Sequence, residues 1–174
     1  MTRVEFEPCR KRLADGTEVS FRLIEPTDGP GLVELFHVLS PETIYNRFLT
    51  PVHDVKPEHV RRLVEIDQWN EVALAACLDH GGREIIVGVG RFHRDPDDPG
   101  TAEVGVLVGD PWQSRGIGGM LLKELVGIAR CADIKRFCAT VLPDNLKLRR
   151  FAEYYGFKGK SHYEDGVLRM SMDL

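Results

Sequence analysis

The stretch Val104-Gly-Val-Leu-Val108, Gly109-Asp-Pro-Trp112, Gln113-Ser-Arg-Gly-Ile-Gly-Gly119, Met120-Leu-Leu-Lys-Glu-Leu-Val-Gly-Ile-Ala-Arg130 decides how the chain reads. Its first part is an apolar run of strand character. A turn and a glycine-rich segment follow, and then an apolar run at helical spacing. Strand, glycine turn and helix together aim several free backbone N–H groups at one spot. The first turn of a helix carries four unpaired N–H donors and the positive end of the dipole. Glycine lets a ligand approach that backbone closely. The expected ligand is a phosphate or pyrophosphate.

Working outward, Glu18 to Ile24 alternates as a strand. Thr27 or Asp28 is placed to cap a helix with Pro30 in its first turn and Leu32, Leu35, Phe36 and Leu39 on one face. Short helices are expected from Ser40 to about Phe48 and from Pro57. Val72 to Leu78, Glu84 to Phe92 and Thr101 to Val108 read as three strands in a meander. After the glycine turn and its helix come a strand at Arg136 to Leu142, a helix at Asn145 to Tyr155 stopped by Gly156, and a strand at Val167 to Met172. This order describes a mixed α/β domain with one sheet covered by helices on both faces.

The 174 residues, 43% hydrophobic and 29% charged, suit one globular domain, 1–174, with residues 1–14 as an N-terminal extension. A net charge of −4 with interspersed signs argues against nucleic acid as a partner. No apolar run approaches a bilayer span, and the N-terminus lacks a signal-peptide pattern, so a cytoplasmic protein is expected. Cys9, Cys77, Cys131 and Cys138 have neither zinc nor redox spacing and read as reduced thiols. No metal site is expected. His93 with Asp95, Asp97 and Asp98 reads as a tight turn rather than a cation loop.

The glycine segment does not fit a dinucleotide fingerprint. Its spacing is Gly116-x-Gly118-Gly119, and it lies in the second half of the chain. The Gly-Lys-Ser/Thr ending of a P-loop is absent. Gln113-x-x-Gly116-x-Gly118 instead resembles the acyl-CoA signature of the GNAT superfamily of N-acetyltransferases. The segment from Asn145 to Gly156-Phe157 resembles that family's second conserved helix. The resemblance implies a GNAT-like fold: a mostly antiparallel twisted sheet of six to seven strands with four to five helices. Within the superfamily, Asp15 to Arg22, Leu39 to Phe48 and Ala102 to Val108 are similar to the Pat-type bacterial protein lysine acetyltransferase domain. In that group the domain is often fused to a cyclic-nucleotide-binding or acyl-CoA synthetase-like partner, and nothing in these 174 residues corresponds to one.

The resemblance implies acetyl-CoA as acyl donor. Its pyrophosphate would lie on the backbone of Gln113, Ser114, Arg115, Gly116, Ile117, Gly118 and Gly119. Its pantetheine arm would pair with the edge of Val106, Leu107 and Val108, and Asn145 would complete the cofactor site. Glu103, ten residues before Gln113, is the implied general base, buried in the cleft. Glu71 and Glu84 are alternatives. Many relatives carry a general-acid tyrosine seven residues after the helix-opening asparagine, and here that residue is Ala152, so no acid is assigned. Tyr155 reads as core. Arg149, Arg150, Lys158 and Lys160 are candidates for the 3′-phosphate of CoA but read more readily as a solvated face. The expected acceptor is a protein with an accessible lysine. A small amine, selected by the first helices and the loop near His53, is the alternative acceptor, and a non-catalytic acyl-CoA-binding module the alternative role. A monomer or weak dimer is expected.

Overall fold

The computed structural model describes residues 3–52, 54–164 and 166–174, without the side chains of residues 159–164. Its strands are β1 (Cys9–Arg12), β2 (Glu18–Leu23), β3 (Glu71–His80), β4 (Arg83–Arg94), β5 (Thr101–Val108), β6 (Arg136–Val141), β7 (Lys158–Glu164) and β8 (Val167–Asp173). Its helices are α1 (Gly29–His37), α2 (Pro41–Phe48), α3 (Pro57–Val64), α4 (Ile117–Cys131) and α5 (Leu146–Tyr154). The strands form one eight-stranded sheet in the order β1-β2-β3-β4-β5-β6-β8-β7. Every neighbouring pair is antiparallel except β5 with β6.

The mixed, mostly antiparallel GNAT-like sheet is the one expected, with one strand more than the six to seven forecast. The short strand β1 and the polar strand β7 lack an alternating pattern of their own. They exist because β2 and β8 offer them a hydrogen-bonding edge. Asp28 does not cap α1 with its side chain. It closes a 3-10 turn at Pro26–Asp28 by accepting from the Glu25 N–H at 2.8 Å, and it binds Arg22 through both carboxylate oxygens at 2.8 Å. Helix α4 starts at Ile117, three residues before Met120, because Gly116 takes φ +93° and ends the turn there.

Two apolar clusters lie on opposite faces of the sheet. One places Leu121, Leu125, Ile128 and Ala129 of α4 on Leu74, Phe92, Val104 and Phe137. The other places Leu32 and Leu35 of α1 and Val64 of α3 on Ala73, Ala75, Cys77 and Val89. Gly90 lets α4 sit close to β4. A Cβ there would be 2.9 Å from Leu125 Cδ1 and 3.2 Å from Leu121 Cβ. Helix and strand thus hold the start of α4 in fixed relation to β5. Among the described residues no helix is long and apolar enough to cross a membrane.

Cys77 is fully buried, and its burial pushes the thiol from 9.0 up to about 12, against a smaller opposing pull from Arg22. An unfolded chain ionises this thiol near pH 9, while the folded chain keeps it protonated. The stability that the neutral thiol contributes is therefore complete below pH 9 and is lost as pH rises from about 9 to about 12. Denaturant midpoints measured from pH 8 to 11 are expected to fall less steeply in Cys77→Ala than in the parent. Parallel slopes would exclude this role.

Candidate active site

The site forms where β5 and β6 part. These two strands pair only from Thr101 to Glu103, opposite Arg136 to Cys138. Beyond Glu103, β5 keeps β4 on one edge as far as Val108. Among the described residues its other edge carries no strand, so the backbone of Val104 to Val108 faces an open wedge. Side chains alternate along β5. Val104, Val106 and Val108 turn to the α4 side, while Leu107 packs with the α1–α3 cluster and Gly105 meets Arg47 of α2. Glu103 shares this second face.

At the end of β5 the chain turns through a 3-10 segment, Asp110–Trp112, and then holds Ser114 at φ 60° and Gly116 at φ 93°. A left-handed serine is an uncommon conformation that the surrounding structure must hold in place. The amide of Gln113 bonds to the Asp110 carbonyl at 3.3 Å, and that of Met120 bonds to the Gly116 carbonyl at 3.1 Å. Between them, among the described residues, the N–H groups of Ser114, Arg115, Gly116, Ile117, Gly118 and Gly119 have no protein acceptor. All of these residues but Arg115 line a cleft of about 780 Å³ that runs along the open edge of β5 to Glu103 and is closed opposite by α5. A row of donors at a helix start suits a pyrophosphate. An unpaired strand edge suits a chain bearing amides. The donor set therefore fits an acyl-CoA.

The side chains of this turn serve other purposes. Gln113 Nε2 donates to the Val108 carbonyl at 3.1 Å, Asp110 Oδ1 at 3.2 Å and Thr43 Oγ1 at 3.3 Å. Its Oε1 accepts from Lys147 Nζ at 3.1 Å. One amide thus ties β5, α2 and α5 around the cleft. Arg115 turns away from the cleft to Asp15 and donates to Thr17 Oγ1 at 2.8 Å. Hydrogen bonds from Thr17, and then from Arg115, hold the exposed Asp15 carboxyl at about 2. Asn145 lines the cleft, and its Oδ1 caps α5 by accepting from the Leu148 N–H at 3.0 Å.

Glu103 lies at the inner end of the cleft and accepts from Thr140 Oγ1 at 3.1 Å. It is exposed, not buried as expected, because the parting of β5 and β6 opens this part of the sheet to solvent. Neither alternative base lines the cleft. Glu71 pairs with Arg91 at 2.7 Å, and Glu84 pairs with Arg22 at 2.8 Å. Ala152 is buried against the cleft and supplies no hydroxyl. Tyr155 packs on Phe151 with ring centroids 4.8 Å apart, as an apolar-stripe residue should, but its hydroxyl reaches the cleft wall over Gly119. Burial, then the neighbouring Tyr154, raises its pKa.

Of the basic residues, Arg150 lines the cleft, and Arg149 donates to the Pro143 carbonyl at 3.2 Å. Lys158 lies outside the lining. The side chain of Lys160 and all of His53 lie outside the described residues. Asp95 accepts from the amides of Asp97 and Asp98 at 2.9 and 3.3 Å, which makes 95–98 a turn, while His93 stays in β4. Among the described residues no cluster of His, Cys, Asp or Glu could hold a metal ion. Sequence reasoning assigned nothing to Arg47, Thr43, Thr140 or Trp112, all of which line the cleft. Residues 43 and 47 are four apart on the α2 face that turns to β5, and that spacing was the available signal.

The chain matches the acetyltransferase (GNAT) family model over residues 35–157. It is 25% identical over 164 residues to an acetyltransferase of Pseudomonas aeruginosa, covering 94% of this chain and 88% of that protein. It is 32% identical over 117 residues to the acetyltransferase Pat of Mycolicibacterium smegmatis, covering 67% of this chain but only 34% of that protein. The solved GNAT domain of S. lividans PAT superposes with a TM-score of 0.87 at 32% identity, covering 98% of this chain and 100% of that one. A cAMP-binding acyltransferase from Mycobacterium smegmatis superposes at 0.65 with 25% identity, covering 96% of this chain and 47% of that one. With the open β5 edge and the amide row at the start of α4, these matches show that the chain belongs to the GNAT family as an N-acetyltransferase that draws its acyl group from acetyl-CoA.

Proposed function

We propose that the acceptor is a lysine side chain of a protein and that Glu103 is the general base. The observation that carries the reading is the position of Glu103, where the open edge of β5 begins and just past the last residue that β6 covers. Pantetheine paired along Val106, Leu107 and Val108 brings the thioester toward Gly105, next to that carboxylate. The amides of Ser114 to Gly119 hold the pyrophosphate, and Asn145 closes the cleft beside it. The amine then approaches from the face that bears α1 to α3. The similarity to the S. lividans PAT domain agrees with the Pat-type resemblance of the sequence, which implies a protein acceptor.

A lysine amine has a pKa near 10.4, so only about one in 10³ is neutral at pH 7, and freeing it costs roughly 4–5 kcal/mol. Glu103 accepts that proton, directly or through one water, while Thr140 fixes one of its oxygens. The nitrogen lone pair attacks the thioester carbon, the C–S bond breaks, CoA leaves as a thiolate, and the surplus proton still carried by the new amide nitrogen passes to that sulfur or to solvent. A thiolate of ordinary pKa, about 8.5, is a stable enough leaving group to depart without a dedicated acid. That is consistent with alanine at position 152.

The test is to incubate the protein with labelled acetyl-CoA and a cell lysate. Label is expected in protein lysines, and Glu103→Gln is expected to abolish it. Label confined to small metabolites would replace the protein acceptor with a small amine. Tight acetyl-CoA binding without transfer to any amine would leave a binding module.

A further inference from the structure

Arg47 is out of keeping with the other arginines on this face of the sheet. Arg91 spends its guanidinium on Glu71 at 2.7 Å and on the Leu63 carbonyl at 2.8 Å. Arg22 holds Asp28 and Glu84. Arg47 is half-buried on the cleft wall, yet among the described residues it donates to no oxygen and has no carboxylate within ion-pair distance. Its neighbours are the Phe48 ring, 5.6 Å from Cζ to centroid, and the backbone of Gly105.

Gly105 makes this placement possible. A Cβ there would stand 3.1 Å from Arg47 Cζ and Nη2, so any side chain would push the guanidinium off the strand. Burial, and then the charge of Arg91, hold the Arg47 pKa below its ordinary value, while Glu103 pulls the other way. A partly desolvated cation beside a second cation, with donors unused, is costly unless an anion arrives. Glu103 lies two residues along the same face, a spacing of about 6.7 Å on a strand. The guanidinium thus stands beside the point where amine and thioester meet, and its fork matches a carboxylate bidentately.

We propose that Arg47 binds a carboxylate carried by one of the two reactants, so that the site selects a substrate with an acid group close to the reacting atoms. The carboxylate has two possible sources: an acyl chain that ends in an acid, as in succinyl-CoA, or an acidic group next to the acceptor amine. The inference rests on the acyl-transfer reading of this cleft, but its test does not need turnover.

Titration of the protein with acetyl-CoA and with succinyl-CoA gives the first arm. Titration of the CoA-bound protein with a lysine peptide flanked by Glu, against the same peptide flanked by Gln, gives the second. In one arm the acidic form is expected to bind at least about tenfold tighter, as for a charged hydrogen-bonded contact. Arg47→Gln is expected to erase that ratio while keeping acetyl-CoA affinity, which also reports an intact fold. Arg47→Lys is expected to keep part of it, and carries the test if the glutamine variant fails to fold. The arm that moves identifies the source. Ratios near one in both arms of the parent, or a ratio unchanged in the Arg47 variants, overturn the proposal. Carboxylate selectivity without acyl transfer would instead overturn the catalytic reading.

Discussion

Glu103→Gln is expected to lower turnover at pH 7.5 by about 10²–10⁴-fold while acetyl-CoA affinity stays within about twofold of the parent. The two effects separate because Glu103, the proposed base, bonds to Thr140 and to none of the backbone donors of the α4 turn. Glutamine keeps the size and can still accept from Thr140, so packing is little changed and the loss reports proton acceptance. The deficit also has a pH signature. Without a base the enzyme waits for the neutral amine, whose fraction rises tenfold per pH unit up to about 10.4. The variant rate is therefore expected to climb with unit slope between pH 7 and 10 and to approach the parent at the alkaline end. A variant within threefold of the parent at pH 7.5, or a deficit independent of pH, would remove Glu103 from the role of base. Thr140→Val is expected to cost much less, since it orients the carboxylate without taking the proton.

The glycine turn at the start of α4 was legible because its signals are local. Gly116 and Gly118 mark a backbone that must be open, and the flanking runs differ in period. The Asn145 cap and the glycine stop at Gly156 are local in the same sense, and both ends of α5 fall close to where they were read. The free edge at Val106 to Val108 was implied by the family resemblance alone, and the wedge between β5 and β6 that creates it was not legible in the residues. It depends on which strands pair and for how long, and nothing in Val104 to Val108 says that β6 lets go after Glu103. The exposure of Glu103 follows from that divergence, so burial was the wrong expectation. Arg47 was missed for a related reason. Its meaning lies in Gly105 beneath it and in the absence of a carboxylate among its described neighbours, and neither is a property of the α2 sequence. The two marginal strands, β1 and β7, are likewise induced by their partners.

Gly119 links this local motif to the tertiary contact that shapes it. Residue 119 would ordinarily favour alanine, since it lies inside α4, and the exchange would gain about 1 kcal/mol in helix propensity. Here a Cβ would fall within the Tyr155 hydroxyl. The tyrosine cannot retreat easily, because Phe151 packs on its ring at 4.8 Å and Tyr154 meets its edge at 5.0 Å. Its open direction is the cleft, across the amides of Ser114 to Gly119. Gly119→Ala is therefore expected to weaken acetyl-CoA binding by tenfold or more, about 1.4 kcal/mol, while the melting temperature changes little. Removing the ring should undo the damage, whereas removing the hydroxyl alone would leave Cζ 2.5 Å from that Cβ. Tyr155→Leu alone is expected to keep most of the acetyl-CoA affinity, and in the Gly119→Ala background it is expected to restore most of what was lost, a coupling that a titration cycle measures directly. Unchanged affinity in Gly119→Ala, or additive losses in the double variant, would mean that Tyr155 does not set the width of the cleft. Rescue would show that this glycine serves the side chain packed over it as much as the phosphate expected beside it.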